Sequence, residues 1–149
     1  MRKIRPAAAD RGLPPGKKTT CRVAYAEKGE QIMEKRYPEH YDRIKGLLGK
    51  LGKEAEGTMG GFGQLHKQAM ADGALSAKFK ELITLAISIT ARCEGCIAVH
   101  VRGALRAGAT RQEIVEAIGV AIYMGGGPAM VYGCEAFEAL GQFEASAAR

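Results

Sequence analysis

Lys78-Phe79-Lys80-Glu81-Leu82-Ile83-Thr84-Leu85-Ala86-Ile87-Ser88-Ile89-Thr90 is the stretch on which the fold turns. Its end, Ile87 to Thr90, is rich in β-branched residues and invites assignment as a strand. Two features decide for a helix. The run is too long for a single strand, and its apolar residues recur at three- and four-residue steps through Phe79, Leu82, Ile83, Leu85, Ala86 and Ile89. The lead-in Lys78-Phe79-Lys80-Glu81-Leu82 also favours helix, and Ser76 stands where a capping hydroxyl is expected.

The same helical period continues on both sides. Downstream, a segment from Cys93 to Ala107 stops at Gly108, a good C-terminal glycine. Thr110-Arg111-Gln112-Glu113 has the form of a capping box and opens a helix through Ile114, Val115, Ile118, Ala121 and Ile122. Gly125-Gly126-Gly127-Pro128 is expected to end that helix, with Pro128 in the first turn of a last one carrying Met130, Val131, Phe137 and Leu140. Upstream, Ile32, Met33, Tyr37, Tyr41, Ile44, Leu47, Leu48 and Leu51 follow the same spacing, and Pro38 opens a new helix or kinks a continuous one. Gly57 to Gly63 reads as a break, followed by a short helix through Leu65, Ala69 and Met70 that ends near Gly73. No alternating strand or internal repeat interrupts this pattern, so the expected fold is an all-α, single-domain antiparallel helical bundle over residues 23–149.

Residues 1–22 differ in kind. They hold Pro6, Pro14, Pro15, Gly12 and Gly16 with few large apolar side chains, and are expected to form an extended basic arm. The formal net charge of +6 also belongs to this segment, where Arg2, Lys3, Arg5, Arg11, Lys17, Lys18 and Arg22 face Asp10 alone. The remaining chain is balanced, which argues against nucleic acid as a partner. No apolar run stands out as a membrane span and no secretory core is expected near the N-terminus, so the expected setting is the cytoplasm. In that compartment a C-x-x-C is a catalytic or metal-binding feature more often than a structural staple.

The chemistry concentrates in Cys93-Glu94-Gly95-Cys96-Ile97-Ala98-Val99-His100. On an α-helix, offsets of 0, 3 and 7 fall within an arc of about 60°, so two thiols and an imidazole are expected on one face. A helix start stabilises a thiolate, and a second thiol one turn away can resolve an oxidised one. Arg92 beside Cys93 could assist. Zinc would need a fourth ligand, from Cys134 or His66, and two buried structural cysteines remain the bland alternative. Glu81 lies 12 residues before Cys93 and could meet His100 or a thiol across a helix packing. His40 and His66 are expected at the surface or in packing, Tyr37 and Tyr41 at the core edge, and Cys21 and Cys134 outside the chemistry. No cofactor and no metal are called for.

Taken together, Lys80-Glu81-Leu82-Ile83-Thr84-Leu85-Ala86, the C-x-x-C-x-x-x-H motif, Ala104-x-x-Ala107-Gly108-Ala109-Thr110-x-x-Glu113-Ile114 and Gly126-Gly127-Pro128-Ala129 resemble the carboxymuconolactone decarboxylase superfamily, on its alkylhydroperoxidase D-like branch. The resemblance covers roughly residues 58–142. It implies an all-helical fold assembled as homotrimers or homohexamers. It also implies a thiol peroxidase in which Cys96 attacks a small hydroperoxide, Cys93 resolves the product as a disulfide, and Glu81 with His100 relays protons. A dithiol donor, such as a lipoylated or thioredoxin-like protein, would return the electrons. The decarboxylases of the superfamily generally lack the cysteine pair, so its presence argues against lactone decarboxylation. A non-enzymatic redox sensor is the remaining alternative. One departure stands out: Gly95 occupies the place where the best-characterised peroxidases of this type carry a histidine.

Overall fold

The computed structural model describes residues 35–148, so the expected basic arm and the start of the expected domain lie outside the described residues. Among these residues the secondary structure is five helices and no strand: α1 Tyr37–Glu54, α2 Glu56–Met70, α3 Ala77–Thr90, α4 Glu94–Arg106 and α5 Arg111–Ala147.

The opening stretch is helical for reasons its hydroxyls make clear. Ser76 Oγ accepts from the Phe79 amide at 3.4 Å and caps α3. Within the helix, Thr84 donates to the Lys80 carbonyl and Ser88 to the Thr84 carbonyl, so these polar groups are satisfied by the helix's own backbone. Leu85 and Ile89 are fully buried, and Ser88 is buried on the same face.

Helices α3 and α4 end alike. Ala109 N–H reaches back to the Ala104 carbonyl at 2.9 Å and Gly108 N–H to Leu105 at 3.1 Å, with Gly108 at φ 81°. Cys93 N–H likewise reaches the Ser88 carbonyl at 3.0 Å and Arg92 N–H reaches Ile89 at 3.1 Å, with Arg92 at φ 57°. Both are Schellman turns. The second places an arginine where glycine is cheapest, and the left-handed conformation costs a non-glycine residue about 1 kcal/mol.

Thr110 and Glu113 form the expected capping box, with the Glu113 carboxylate accepting the Thr110 amide at 2.7 Å. Lys78 adds an ion pair to Glu113 at 2.6 Å and ties α3 to the start of α5. The hydrogen bond from Lys78 and those from Thr110 hold the Glu113 carboxyl down at about 2.

Of the two glycine-rich breaks expected, one needs correction. Gly57 to Gly63 does not break the chain; these residues lie within α2, and the interruption falls at Ala55 instead. Glycine weakens a helix without forbidding it, and here consecutive glycines simply continue the turn. Gly125 to Pro128 interrupts the helical span as expected: Gly126 takes the non-helical angles φ 65°, ψ −154°, so α5 is two helices meeting at a kink, with Pro128 just beyond it. Proline lacks an amide donor and suits the first turn of the second of these helices. Taken as one span across this kink, Arg111–Ala147 meets the length and composition of a membrane-crossing helix, its most apolar 18-residue stretch having a mean hydropathy of 1.5. In the bundle it lends Ile114, Ile118, Leu140 and Phe143 to the core.

That core lies between α3, α4 and α5, where Leu85, Ile89, Ile97, Val101, Ile114 and Leu140 are fully buried. Each such side chain contributes about 1.5–3 kcal/mol on burial. Helix α1 joins it through Tyr37, the one buried residue of that helix, which is fully enclosed rather than at the core edge as expected. The Tyr37 amide donates to Gln142 Oε1 at 2.7 Å and its hydroxyl donates to Glu135 Oε2 at 2.9 Å. Burial and the Glu135 carboxylate together push the phenol well above its usual range. Helix α2 buries no residue.

Candidate functional site: a disulfide at the start of a helix

Cys93 and Cys96 are joined in a disulfide across the first turn of α4, with Cα atoms 5.2 Å apart. Their placement refines the expected shared face. Cys93 is not on the helix but is its N-cap, in extended conformation at φ −101°, ψ 94°, and its Sγ accepts from the Cys96 amide at 3.3 Å. Cys96 lies inside the first turn, where unpaired amides and the helix dipole favour a negative sulfur. Both cysteines are half-buried.

His100 stands one turn beyond Cys96, and its Nδ1 pairs with Glu81 Oε2 at 2.8 Å. The two side chains are 14% and 16% exposed, so this pair across α3 and α4 is largely removed from water. With the Glu81 carboxylate as acceptor, Nδ1 carries the shared hydrogen and the ring is held by that bond. The expectation that Glu81 meets either the imidazole or a thiol is thereby narrowed to the imidazole.

Two glycines on α4 mark where neighbours press against it. A Cβ at Gly95 would stand 2.7 Å from Ile44 Cδ1, so α1 closes over the residue between the cysteines. A Cβ at Gly103 would stand 2.6–2.8 Å from the carboxylate atoms of Glu81. Glu94, the other residue between the cysteines, pairs with Lys35 at 2.8 Å, and the same ammonium pairs with Glu135 at 2.9 Å. Burial opposes the Lys35 charge, but its hydrogen bonds to Glu94 and Glu135 outweigh this and hold its pKa above the ordinary value.

The other expected positions fall away from this cluster or outside it. Cys134 is an exposed free thiol and His66 is exposed, whereas Cys21 lies outside the described residues. His40 is partly buried, in keeping with the packing alternative, and its Nε2 is buried without a hydrogen-bond partner among the described residues. Among those residues no three His, Cys, Asp or Glu side chains group to hold a metal ion. Sequence inspection missed Ile44, Lys35 and Gly103. A signal existed only for Gly103, which shares the His100 face at a three-residue offset.

A helix-capping disulfide followed by a carboxylate–imidazole pair, on an all-helical frame, defines an all-α protein with a cysteine pair at a helix start. The family model for the carboxymuconolactone decarboxylase family matches residues 56–139. The chain is 39% identical over 102 residues to an uncharacterized protein of Cupriavidus necator, spanning 68% of this chain and 88% of that one. It is 36% identical over 102 residues to uncharacterized protein 4 in the cox locus of Paracoccus denitrificans, spanning 68% and 92%. Among solved structures it is similar to a carboxymuconolactone decarboxylase family protein from Legionella pneumophila, with a TM-score of 0.71 and 40% identity over 74% of this chain and 98% of that one. The chain belongs to the carboxymuconolactone decarboxylase family, which includes enzymes.

Proposed function

We propose that the protein is a thiol-dependent peroxidase of the alkylhydroperoxidase D-like branch, acting on small hydroperoxides. The observation that carries this is the half-buried Cys93–Cys96 disulfide at a helix start, with the Glu81–His100 pair on the next turn. In the reduced protein the Cys96 thiolate attacks the terminal peroxide oxygen. An S–O bond forms as the O–O bond breaks, the peroxide takes up the electron pair and a proton to leave as an alcohol, and Cys96 becomes a sulfenic acid. The Cys93 sulfur then displaces hydroxide from that sulfur, and with one more proton the products are a disulfide and water. His100, oriented by Glu81, moves these protons. A dithiol donor, lipoylated or thioredoxin-like, reduces the disulfide and takes the two-electron oxidation upon itself. A cytoplasmic setting suits this cycle.

Assembly into homotrimers or homohexamers accompanies this function. Phe62 and Leu65 of α2 are 64% and 61% exposed, and Phe79, Ile83 and Ile87 of α3 are also exposed, more apolar surface than an isolated chain usually shows.

The test is stopped-flow hydroperoxide consumption by the reduced protein with a dithiol donor. Cys96→Ser should abolish turnover, a loss of at least 1,000-fold by the scale of other nucleophile removals, while the helical circular dichroism is retained. Full turnover in Cys96→Ser would refute the assignment. Activity on a small lactone acid that survives loss of both cysteines would favour decarboxylation, with Glu81 and His100 as acid and base.

A further inference from the structure

The pairing of Glu81 with His100 depends on a third position that carries no side chain. A Cβ built on Gly103 would lie 2.6 Å from Oε2 of Glu81, 2.7 Å from its Cδ and 2.8 Å from its Oε1. All three carboxylate atoms therefore occupy the space that a Cβ at 103 would need, inside the roughly 3.3 Å at which carbon and oxygen normally meet. Oε2 is also the atom that pairs with His100 Nδ1 at 2.8 Å. Residues 100 and 103 share one face of α4 at a separation of one turn, so the carboxylate bridges from the vacant position to the imidazole.

We propose that Gly103 is a positioning residue, the slot in α4 that lets the Glu81 carboxylate reach His100. Its catalytic consequence rests on the peroxidase function above. Glycine is the poorest non-proline residue for a helix interior, and Gly103 sits mid-helix in α4 with ordinary helical angles. Backbone conformation therefore gives no reason for it, and the close carboxylate does. Gly119 and Gly141 of α5 make the contrast, since a Cβ at either meets nothing within 4 Å. An alanine at 103 must push the carboxylate outward by about half an ångström, and the atom displaced is the one His100 holds.

The experiment is a double-mutant cycle of Gly103→Ala and Glu81→Ala in the full chain. Three quantities are read: the His100 Nδ1–H resonance in ¹⁵N-histidine-labelled protein, the rate of Cys93–Cys96 disulfide formation after one equivalent of tert-butyl hydroperoxide, and the melting temperature. Gly103→Ala alone should remove or strongly shift the Nδ1–H resonance and slow disulfide formation about tenfold, the scale for one hydrogen bond to a charged group. In the Glu81→Ala background the same alanine should change the rate less than twofold and raise the melting temperature, as helix propensity alone dictates. An unchanged resonance and rate in Gly103→Ala would overturn the proposal, as would equal slowing in both backgrounds. If the parent protein forms no disulfide with the hydroperoxide, the peroxidase function fails, and the resonance still decides the role of Gly103.

Discussion

Helices α3, α4 and α5 and the pair α1–α2 place their large apolar side chains differently. In the first group Leu85, Ile97, Ile114 and Leu140 are wholly enclosed, whereas Leu47, Leu48, Leu51, Phe62 and Leu65 of the second remain about half exposed or more. The first region therefore carries the folding energy of the described chain. The second is attached by a few specific links: Tyr37 to Glu135 and Gln142, Lys35 to Glu94 and Glu135, and Ile44 over Gly95. The site lies along the line where they meet. Cys93, Cys96, His100 and Glu81 belong to the packed region, and Gly95 between the cysteines is covered by Ile44 of the attached one.

The strongest way to break this contrast is Ile97→Ala. With Ile97 fully buried in α4 beside Cys96, the substitution should cost about 2–5 kcal/mol in urea unfolding. A cost below about 1 kcal/mol would mean that the three-helix core is not the stabilising region. A smaller effect sharpens it by pH. The Glu113 carboxyl is lowered from 4.5 to about 2 by Lys78 and Thr110. Because the folded value is the depressed one, the stability it contributes is fully present above 4.5 and is lost as pH falls toward 2. Glu113→Gln should therefore flatten the acid limb of stability within that window, and an unchanged limb would show that the α3–α5 link is not coupled to folding. The smallest effect belongs to α2. Leu65→Ala should shift the unfolding free energy of the dilute protein by no more than about 0.5 kcal/mol. A loss that grows with protein concentration would show instead that a second copy covers this face.

What could be foreseen follows the range of the interactions involved. The helix at Lys78–Thr90, the Ser76 cap, the Thr110–Glu113 box and the Gly108 stop are local patterns, and each was legible because its partners lie within a turn or so. The glycines of α2 misled because their weak propensity was overridden by continuation of the helix, whereas those before Pro128 marked a real interruption at Gly126. The left-handed Arg92 could not be foreseen, since nothing in an arginine announces that conformation. Cys93, Cys96, His100 and Glu81 were legible as a group from motif and spacing. How Glu81 reaches His100, and what lies over Gly95, depended on helix packing between segments far apart in sequence.

Cys93 Sγ has a structural obligation besides the disulfide: it is the acceptor that closes the first turn of α4. Oxidation, reduction or alkylation of that sulfur changes the acceptor offered to the Cys96 amide, so the chemical state of the pair is written into local backbone protection. The Cys96 amide is thus a built-in reporter, readable by hydrogen exchange with no added probe. The same double duty distinguishes two substitutions usually treated as equivalent. Serine at 93 removes the disulfide and keeps a cap, whereas alanine removes both and confounds loss of the disulfide with the integrity of the helix that holds it.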